Sequence, residues 1–218
     1  MLIDTCGDTA GVAISQGDHV LASEDLAPGS ASAEILQAMR RLLARLDWRV
    51  ENLDAVGVVR GPGSFTGIRA GLATAKGLCE SVNLRLAAVS RLEVLAEAAG
   101  LQSGLAVLDA GRGELYVRET ASSREWLSSI EELAHHPDGL EGERSLQIAI
   151  AESQMVERLN AFAMILRPLR ASDALPAILR KLRTGGSDVA LVDANYVREE
   201  RDIYQKPPSS PHPTERAR

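Results

Sequence analysis

A run of glycines constrains this chain more than any other feature of its sequence. Six of the 18 glycines lie between Gly57 and Gly77, where an apolar stretch is followed by a loop and then by residues at helical spacing. Glycine permits backbone conformations and close approaches that a Cβ atom forbids. The segment therefore predicts a buried strand, a tight loop over residues 61–67 and a helix that packs closely against a neighbour.

The loop of this segment has the features of an anion site. Gly61, Gly63 and Ser64 precede the predicted helix, whose N-terminal amides attract negative charge. The loop is not a P-loop, because the Lys that the motif requires after its last glycine, here Gly67, is missing. Two interpretations stay open: a loop that binds a phosphate or another anion, and a tight turn without a ligand.

The helix after the loop has two distinct faces. One face carries an apolar stripe that is typical of a core-facing helix: Ile68, Leu72, Ala75 and Cys79. Gly67, Gly71 and Thr74 lie on another face, where each interior glycine costs about 1 kcal/mol of helix stability relative to alanine. A backbone that approaches this face closely would compensate. Spacing alone leaves open whether that backbone belongs to this chain or to another protein.

Periodicity predicts that strands and helices follow one another in the same way in both halves of the chain. In the first half it predicts strands at 1–5, 11–16, 19–26, 54–60 and 84–89, and helices after Ser30 or Ser32, at 66–79 and at 90–99. In the second half it predicts strands at 104–110, 114–120, 124–128 and 146–151, and helices at 128–135, 152–166 and 173–183. Each half opens with a strand that ends in an aspartate, Asp4 or Asp109, before a turn.

This element order predicts an α/β protein of two related lobes, each with a mixed sheet led by a three-stranded meander. We expect the first lobe at residues 1–101 and a second, degenerate lobe at 102–205. The Pro-rich and charged tail at 206–218 is predicted to be disordered.

Charge and aromatic content argue against a free-standing nucleic-acid-binding protein. The chain carries 24 Lys and Arg against 30 Asp and Glu, a net charge of −6, and only 3% of its residues are aromatic. Phosphate backbones are bound by clustered cations, and single-stranded bases by aromatic platforms. No signal-peptide pattern or membrane-length apolar run is present, and the only cysteines are Cys6 and Cys79. We therefore expect a protein of the reducing cytoplasm.

Catalytic and metal-binding patterns are weak. No two histidines stand four residues apart, so a helical pair of metal ligands is excluded, and the adjacent His135 and His136 are expected at a solvated helix end. Asp4 and Asp109 are the best candidate carboxylates, and each is equally well explained as the cap of a turn. An independent ATPase or small-molecule kinase stays open as an alternative. It would use these two acids, the 61–67 loop and the pair Gly185-Gly186, which also fits a helix C-cap.

The segment from Arg60 to Leu78 resembles the signature of the TsaB family, also called YeaZ. Three shorter segments resemble the same family: Leu2–Thr5, Asp109–Tyr116 and Tyr196–Arg198. The chain departs from the family pattern at Ala31, Gln37 and Gly111. The resemblance is strongest over residues 1–120 and implies a two-lobed fold of the actin-like ATPase, or ribonuclease H-like, type.

The family resemblance also implies a function. Members take part in making threonylcarbamoyladenosine next to the anticodon of tRNA, as non-catalytic scaffolds or activators that form a heterodimer with the catalytic paralogue TsaD. TsaE acts with TsaD and ATP. We accordingly expect no catalytic residue, metal or cofactor in this chain, contact with tRNA only through the partner, no membrane association and a homodimer when the chain is isolated.

In the family the paralogues pair through helices of the first lobe, which correspond here to residues 31–46 and 65–79. The interface residues that we expect are Ile35, Leu36, Met39, Leu43, Phe65, Thr66, Gly67, Arg69, Ala70, Gly71 and Thr74. On this hypothesis, Gly71→Leu would disrupt pairing and leave the lobe folded.

Overall fold

The structure is a computed structural model, and it describes residues 1–134, 147–159 and 163–197. Within these ranges the chain forms two mixed sheets of five strands each. The predicted helix end at His135-His136 and the predicted tail at 206–218 lie outside the described residues.

The first sheet consists of β1 (Leu2–Asp4), β2 (Gly11–Gln16), β3 (His19–Asp25), β4 (Ala55–Val59) and β5 (Arg85–Val89). Its strand order is β3-β2-β1-β4-β5, in which β1, β2 and β3 are antiparallel and β1, β4 and β5 are parallel. The helices of this half are α1 (Ala31–Arg45), α2 (Phe65–Val82) and α3 (Arg91–Ala98). A 3-10 turn at Val50–Asn52 leads into β4.

The second sheet consists of β6 (Leu105–Gly111), β7 (Glu114–Glu119), β8 (Glu125–Ser129), β9 (Gln147–Ile150) and β10 (Ala163–Leu166). Its strand order, β8-β7-β6-β9-β10, repeats that of the first sheet strand by strand, with the same antiparallel meander and the same parallel strands. The helices are α4 (Ile130–Ala134), α5 (Met155–Arg158) and α6 (Leu175–Arg183). The repeated order confirms the predicted two-lobed α/β fold of the actin-like ATPase type.

The C-terminal part of the chain packs against the first sheet. The strands β1, β4 and β5 are mostly apolar, and nearly all of their residues are buried, so both faces are covered. Helices α1 and α2 cover one face, while a 3-10 turn at Ala171–Ala174 and helix α6 cover the other. A Cβ atom on Gly57 would lie 2.7 Å from the Ile178 side chain, which shows how closely α6 packs there. The division at residues 101 and 102 stays a prediction, but residues 171–187 contact the first sheet.

The predicted helix over residues 152–166 is wrong in its second half. Helix α5 spans only Met155–Arg158, and residues 163–166 form β10, which pairs in parallel with β9. This segment becomes a strand because it pairs with the edge of β9. The spacing of apolar residues within the segment does not predict that pairing. After α6 the backbone makes a β-bridge between Ser187 and Leu86 of β5. None of the helices in the described part of the chain has the length and apolarity needed to cross a bilayer.

Candidate functional site

The two predicted carboxylates occupy the same place in the two lobes. Asp4 ends β1, and its Oδ1 accepts a hydrogen bond from the Cys6 N–H at 2.9 Å. Asp109 lies near the end of β6, and its Oδ1 accepts a hydrogen bond from the Gly111 N–H, also at 2.9 Å. Both aspartates therefore cap the turn that follows the first strand of their lobe, as the simpler interpretation of the sequence predicts.

Their surroundings shift the two pKa values in opposite directions. Burial raises the pKa of Asp4, although the nearby Arg91 guanidinium and the Cys6 N–H act against it. Burial also acts to raise the pKa of Asp109. In that case the Gly111 N–H and the Arg158 guanidinium, which lies 2.9 Å from Oδ1, outweigh burial and hold the pKa below its ordinary value. The two aspartates thus occupy equivalent turns, but the pKa of Asp4 is raised and the pKa of Asp109 is lowered.

An ion pair that the sequence analysis missed crosses between the lobes beside these turns. Arg91, the first residue of α3, places Nη1 3.1 Å from Oε1 of Glu152, which follows β9 in the second lobe. The two side chains are only 8% and 14% exposed. Burial raises the pKa of Glu152 even though Arg91 and the Asp109 N–H act to lower it. One signal was available: a cation in the first turn of a helix opposes the helix dipole.

The actin-like fold implies a nucleotide between the lobes, but the residues of this cleft do not fit one. The Arg91 guanidinium fills the space above the β1–β2 turn, where a Cβ atom on Gly7 would collide with Nη2. Gly185 and Gly186, the glycine pair that the ATPase alternative requires, terminate α6 with positive φ angles, and the Gly186 N–H donates to the Lys181 carbonyl. That geometry is a helix C-cap.

The glycine loop packs against the chain's own first turn. A Cβ atom on Gly63 would collide with the Cys6 carbonyl oxygen, to which the Ser64 N–H donates at 2.8 Å. Ser64 also caps α2, because its Oγ accepts from the Gly67 N–H at 3.3 Å. The loop amides of Ser64 and Gly67 are thus engaged within the chain. Whether Gly61, Gly63 and Ser64 also bind an anion stays a prediction.

The close neighbour of the glycine face of α2 is Thr5, at the end of β1. A Cβ atom on Gly67 would collide with the Thr5 carbonyl oxygen, and one on Gly71 with the Thr5 hydroxyl. The Thr5 hydroxyl itself donates to the Gly67 carbonyl at 2.6 Å. Both glycines are buried, so neither belongs to an exposed interface. Because a leucine at position 71 would collide with Thr5, we now expect Gly71→Leu to disturb the packing of the lobe itself.

Ile35 and Met39 are also buried, on the side of α1 that faces the sheet. Their side chains therefore pack within the chain, and we no longer include them among the expected interface residues. The other seven expected interface residues have exposed or half-buried side chains. We call them the helix-pair face: Leu36, Leu43, Phe65, Thr66, Arg69, Ala70 and Thr74. This set lies on α1 and α2, which pack side by side on the first sheet.

Large apolar side chains of this face are unusually open to solvent. Leu36 is 58% exposed and Phe65 is 55% exposed. The Phe65 ring stacks on Tyr196, with ring centroids 5.9 Å apart, and the Arg69 guanidinium lies 3.9 Å from the Phe65 centroid. Arg69 Nε also donates to the Tyr196 hydroxyl at 3.2 Å. Tyr196 thus joins the helix-pair face from the C-terminal segment, a contact that the sequence did not predict.

Comparison with known proteins agrees with this structure. A family model described as TsaD, tRNA N6-adenosine threonylcarbamoyltransferase, matches residues 25–162. The chain is 33% identical over 123 residues to the tRNA threonylcarbamoyladenosine biosynthesis protein TsaB of Escherichia coli K12, and 35% identical over 119 residues to that of Bacillus subtilis 168. These alignments cover 55% and 53% of this chain, and 53% and 52% of the relatives.

The chain thus spans about half the length of the curated relatives that it matches. A solved structure extends the similarity. A Pseudomonas aeruginosa protein, described as similar to the peptidase YeaZ, superposes with a TM-score of 0.75 at 25% identity and covers 90% of this chain and 97% of its own. By fold, by signature segment and by these alignments, the chain belongs to the TsaB (YeaZ) family.

Proposed function

We propose that this chain is a non-catalytic subunit of tRNA threonylcarbamoyladenosine synthesis and acts by binding the catalytic paralogue TsaD through the helix-pair face. The observation that carries the proposal is the exposure of Leu36 on α1 and of Phe65 on α2, two helices that pack side by side. Apolar side chains that cluster on a surface are characteristic of a site that a partner covers. Membership of the TsaB family supports a role in the synthesis of tRNA threonylcarbamoyladenosine.

The shape of α2 also suits a helical partner. Ala70, Thr74 and Gly77 follow one another at helical spacing on its exposed side, and a Cβ atom on Gly77 would meet nothing within 4 Å. A second helix can approach such a surface closely, because no long side chain holds it away. The TsaD family model matches a range that includes both α1 and α2. On this proposal, the catalytic paralogue contributes a related pair of helices to the contact.

The rest of the proposed assembly follows from this docking. TsaD supplies the transferase site, and TsaE acts with TsaD and ATP. Because the chain has a net charge of −6, we expect the partner to provide most of the contacts with the tRNA phosphates. In the absence of TsaD, the helix-pair face of a second copy covers the same apolar residues, so the isolated chain forms a homodimer.

The test is the affinity of the purified chain for TsaD of the same organism, measured by isothermal titration calorimetry. Leu36→Asp places a charge on the exposed apolar surface, and we expect it to weaken binding by about 100-fold or more, the size of a hot-spot loss. The matched control is Val156→Asp, which replaces an exposed apolar residue in the second lobe. We expect the control to bind like the unaltered chain. Equal affinities for the two variants would contradict the proposal.

The alternative is an independent ATPase or small-molecule kinase that uses Asp4 and Asp109. The buried Arg91 in the cleft and the use of Gly185-Gly186 as a helix cap count against it. ATP hydrolysis by the purified chain would favour this alternative, provided that Asp109→Asn abolishes the hydrolysis.

A further inference from the structure

Arg91 is held in place from both its backbone and its side chain. The Arg91 N–H donates to the Gly61 carbonyl at 2.7 Å, which ties the start of α3 to the loop before α2. Its guanidinium covers Gly7 in the β1–β2 turn, a position that only glycine leaves open. Such a placement opposes the helix dipole and removes a charge from water. Two carboxylates compensate for this cost, those of Asp4 and Glu152.

One of these two charges comes from the second lobe. Glu152 lies just after β9 in the second lobe and meets Arg91 at 3.1 Å, with both side chains shielded from solvent. Separation of the lobes at this point would break the pair and leave the Glu152 carboxylate without the Arg91 guanidinium. Disruption of a buried ion pair lowers the stability of a protein much more than disruption of an exposed pair.

We infer that Arg91 and Glu152 form a latch that holds the two lobes closed over the β1–β2 turn. The cleft that an actin-like ATPase opens for its nucleotide is closed here: one apolar core includes residues of both sheets, α3 packs on β6, β7 and β9, and the ion pair adds to this contact beside the β1–β2 turn. The inference concerns the chain by itself and does not rest on its pairing with TsaD.

The two free cysteines give a direct readout of the latch. Cys6 lies in the β1–β2 turn beneath Arg91, is buried, and donates from Sγ to the Val59 carbonyl at 3.1 Å. Cys79 is buried at the far end of α2 and serves as an internal control. The experiment treats the native chain with a thiol reagent and follows the labelling rate of each cysteine by mass spectrometry. In the unaltered chain we expect both rates to be slow.

Two variants remove the ion pair from its two ends. Glu152→Gln keeps the shape of the side chain, and Arg91→Met keeps much of its length. We expect each variant to raise the labelling rate of Cys6 by about 10-fold or more, because local opening becomes easier, and to leave the rate of Cys79 unchanged. The double variant should label Cys6 no faster than the faster single variant, since both substitutions break the same contact.

The matched control is Arg158→Met, which breaks the ion pair between Arg158 and Asp109 within the second lobe. We expect no change in the labelling of Cys6 in this variant. The inference is overturned if neither latch variant alters Cys6, if Cys6 and Cys79 accelerate together, or if Arg158→Met accelerates Cys6 as strongly as Glu152→Gln.

Discussion

At the scale of single residues, Asp4 and Asp109 make the same kind of turn in two different electrostatic environments. Each caps the turn after the first strand of its lobe with the same hydrogen bond, to the N–H two residues later. Asp4 is buried, and desolvation of its charged form dominates. Asp109 is partly open and accepts a second, charged hydrogen bond from Arg158. The aspartate and the turn were predictable from sequence, but the environments depend on residues far away in the chain.

The opposite pKa shifts predict opposite pH dependences of stability. The raised pKa of Asp4 gives stability below the ordinary value of 3.8, which is lost as the pH rises through the folded-state pKa. The lowered pKa of Asp109 gives stability above 3.8, which is lost as the pH falls through the folded-state pKa. Asp4→Asn should therefore gain stability relative to the unaltered chain as the pH rises. Asp109→Asn should be less stable at neutral pH, by an amount that shrinks in acid.

Urea unfolding at a series of pH values from acidic to neutral measures both differences. The asparagine side chain retains an oxygen that can accept the turn hydrogen bond, so each variant changes mainly the charge. If the two variants followed the same pH trend, the assignment of burial to Asp4 and of hydrogen bonding to Asp109 would be wrong.

At the scale of elements, helix α2 carries two kinds of glycine with different purposes. Gly67 allows the helix to touch the backbone of Thr5, whereas Gly77 faces open space. Gly67→Ala should lower the free energy of unfolding by about 1–3 kcal/mol, because the new methyl group collides with the Thr5 carbonyl. Gly77→Ala should raise it by up to about 1 kcal/mol, through helix propensity alone.

Urea denaturation of the two alanine variants at neutral pH tests this division of the helix. Each variant serves as the control for the other, since the substitution and the host helix are the same. Gly67→Ala with unchanged stability would show that the approach of α2 to β1 is looser than the structure indicates.

The sequence predicted the elements of the first lobe well, because their signals are local. The apolar run of β4 and the 3.6-residue spacing in α1 are complete within each segment. By contrast, β10 exists through its pairing with β9, and a short apolar segment such as 163–166 fits a helix or a strand equally well. The glycine spacing of α2 predicted a close neighbour correctly. It did not identify Thr5 as that neighbour. The spacing of glycines indicates that another segment packs closely, but it does not indicate which segment.

At the scale of the whole molecule, the two lobes have the same strand order but different roles. The first lobe carries the helix-pair face and receives residues 171–187 on the other side of its sheet, while Tyr196 reaches the helix-pair face itself. The second lobe supplies Glu152 to the joint. The family resemblance predicted two lobes, whereas Arg91 and Glu152 stand 61 positions apart (152 − 91) and share no motif, so only the folded structure brings them together.

The central claim is that this chain works through its helix-pair face and not through its cleft. The most direct measurement is the threonylcarbamoyladenosine content of tRNA, determined by mass spectrometry in cells whose only copy of the chain is a variant. The double variant Asp4→Asn/Asp109→Asn should keep the content near that of the unaltered chain. Ala70→Arg, which places a long charged side chain on the face, should lower it by about 10-fold or more while the protein stays folded. Loss of the modification in the cleft variant, or normal modification with Ala70→Arg, would contradict the account.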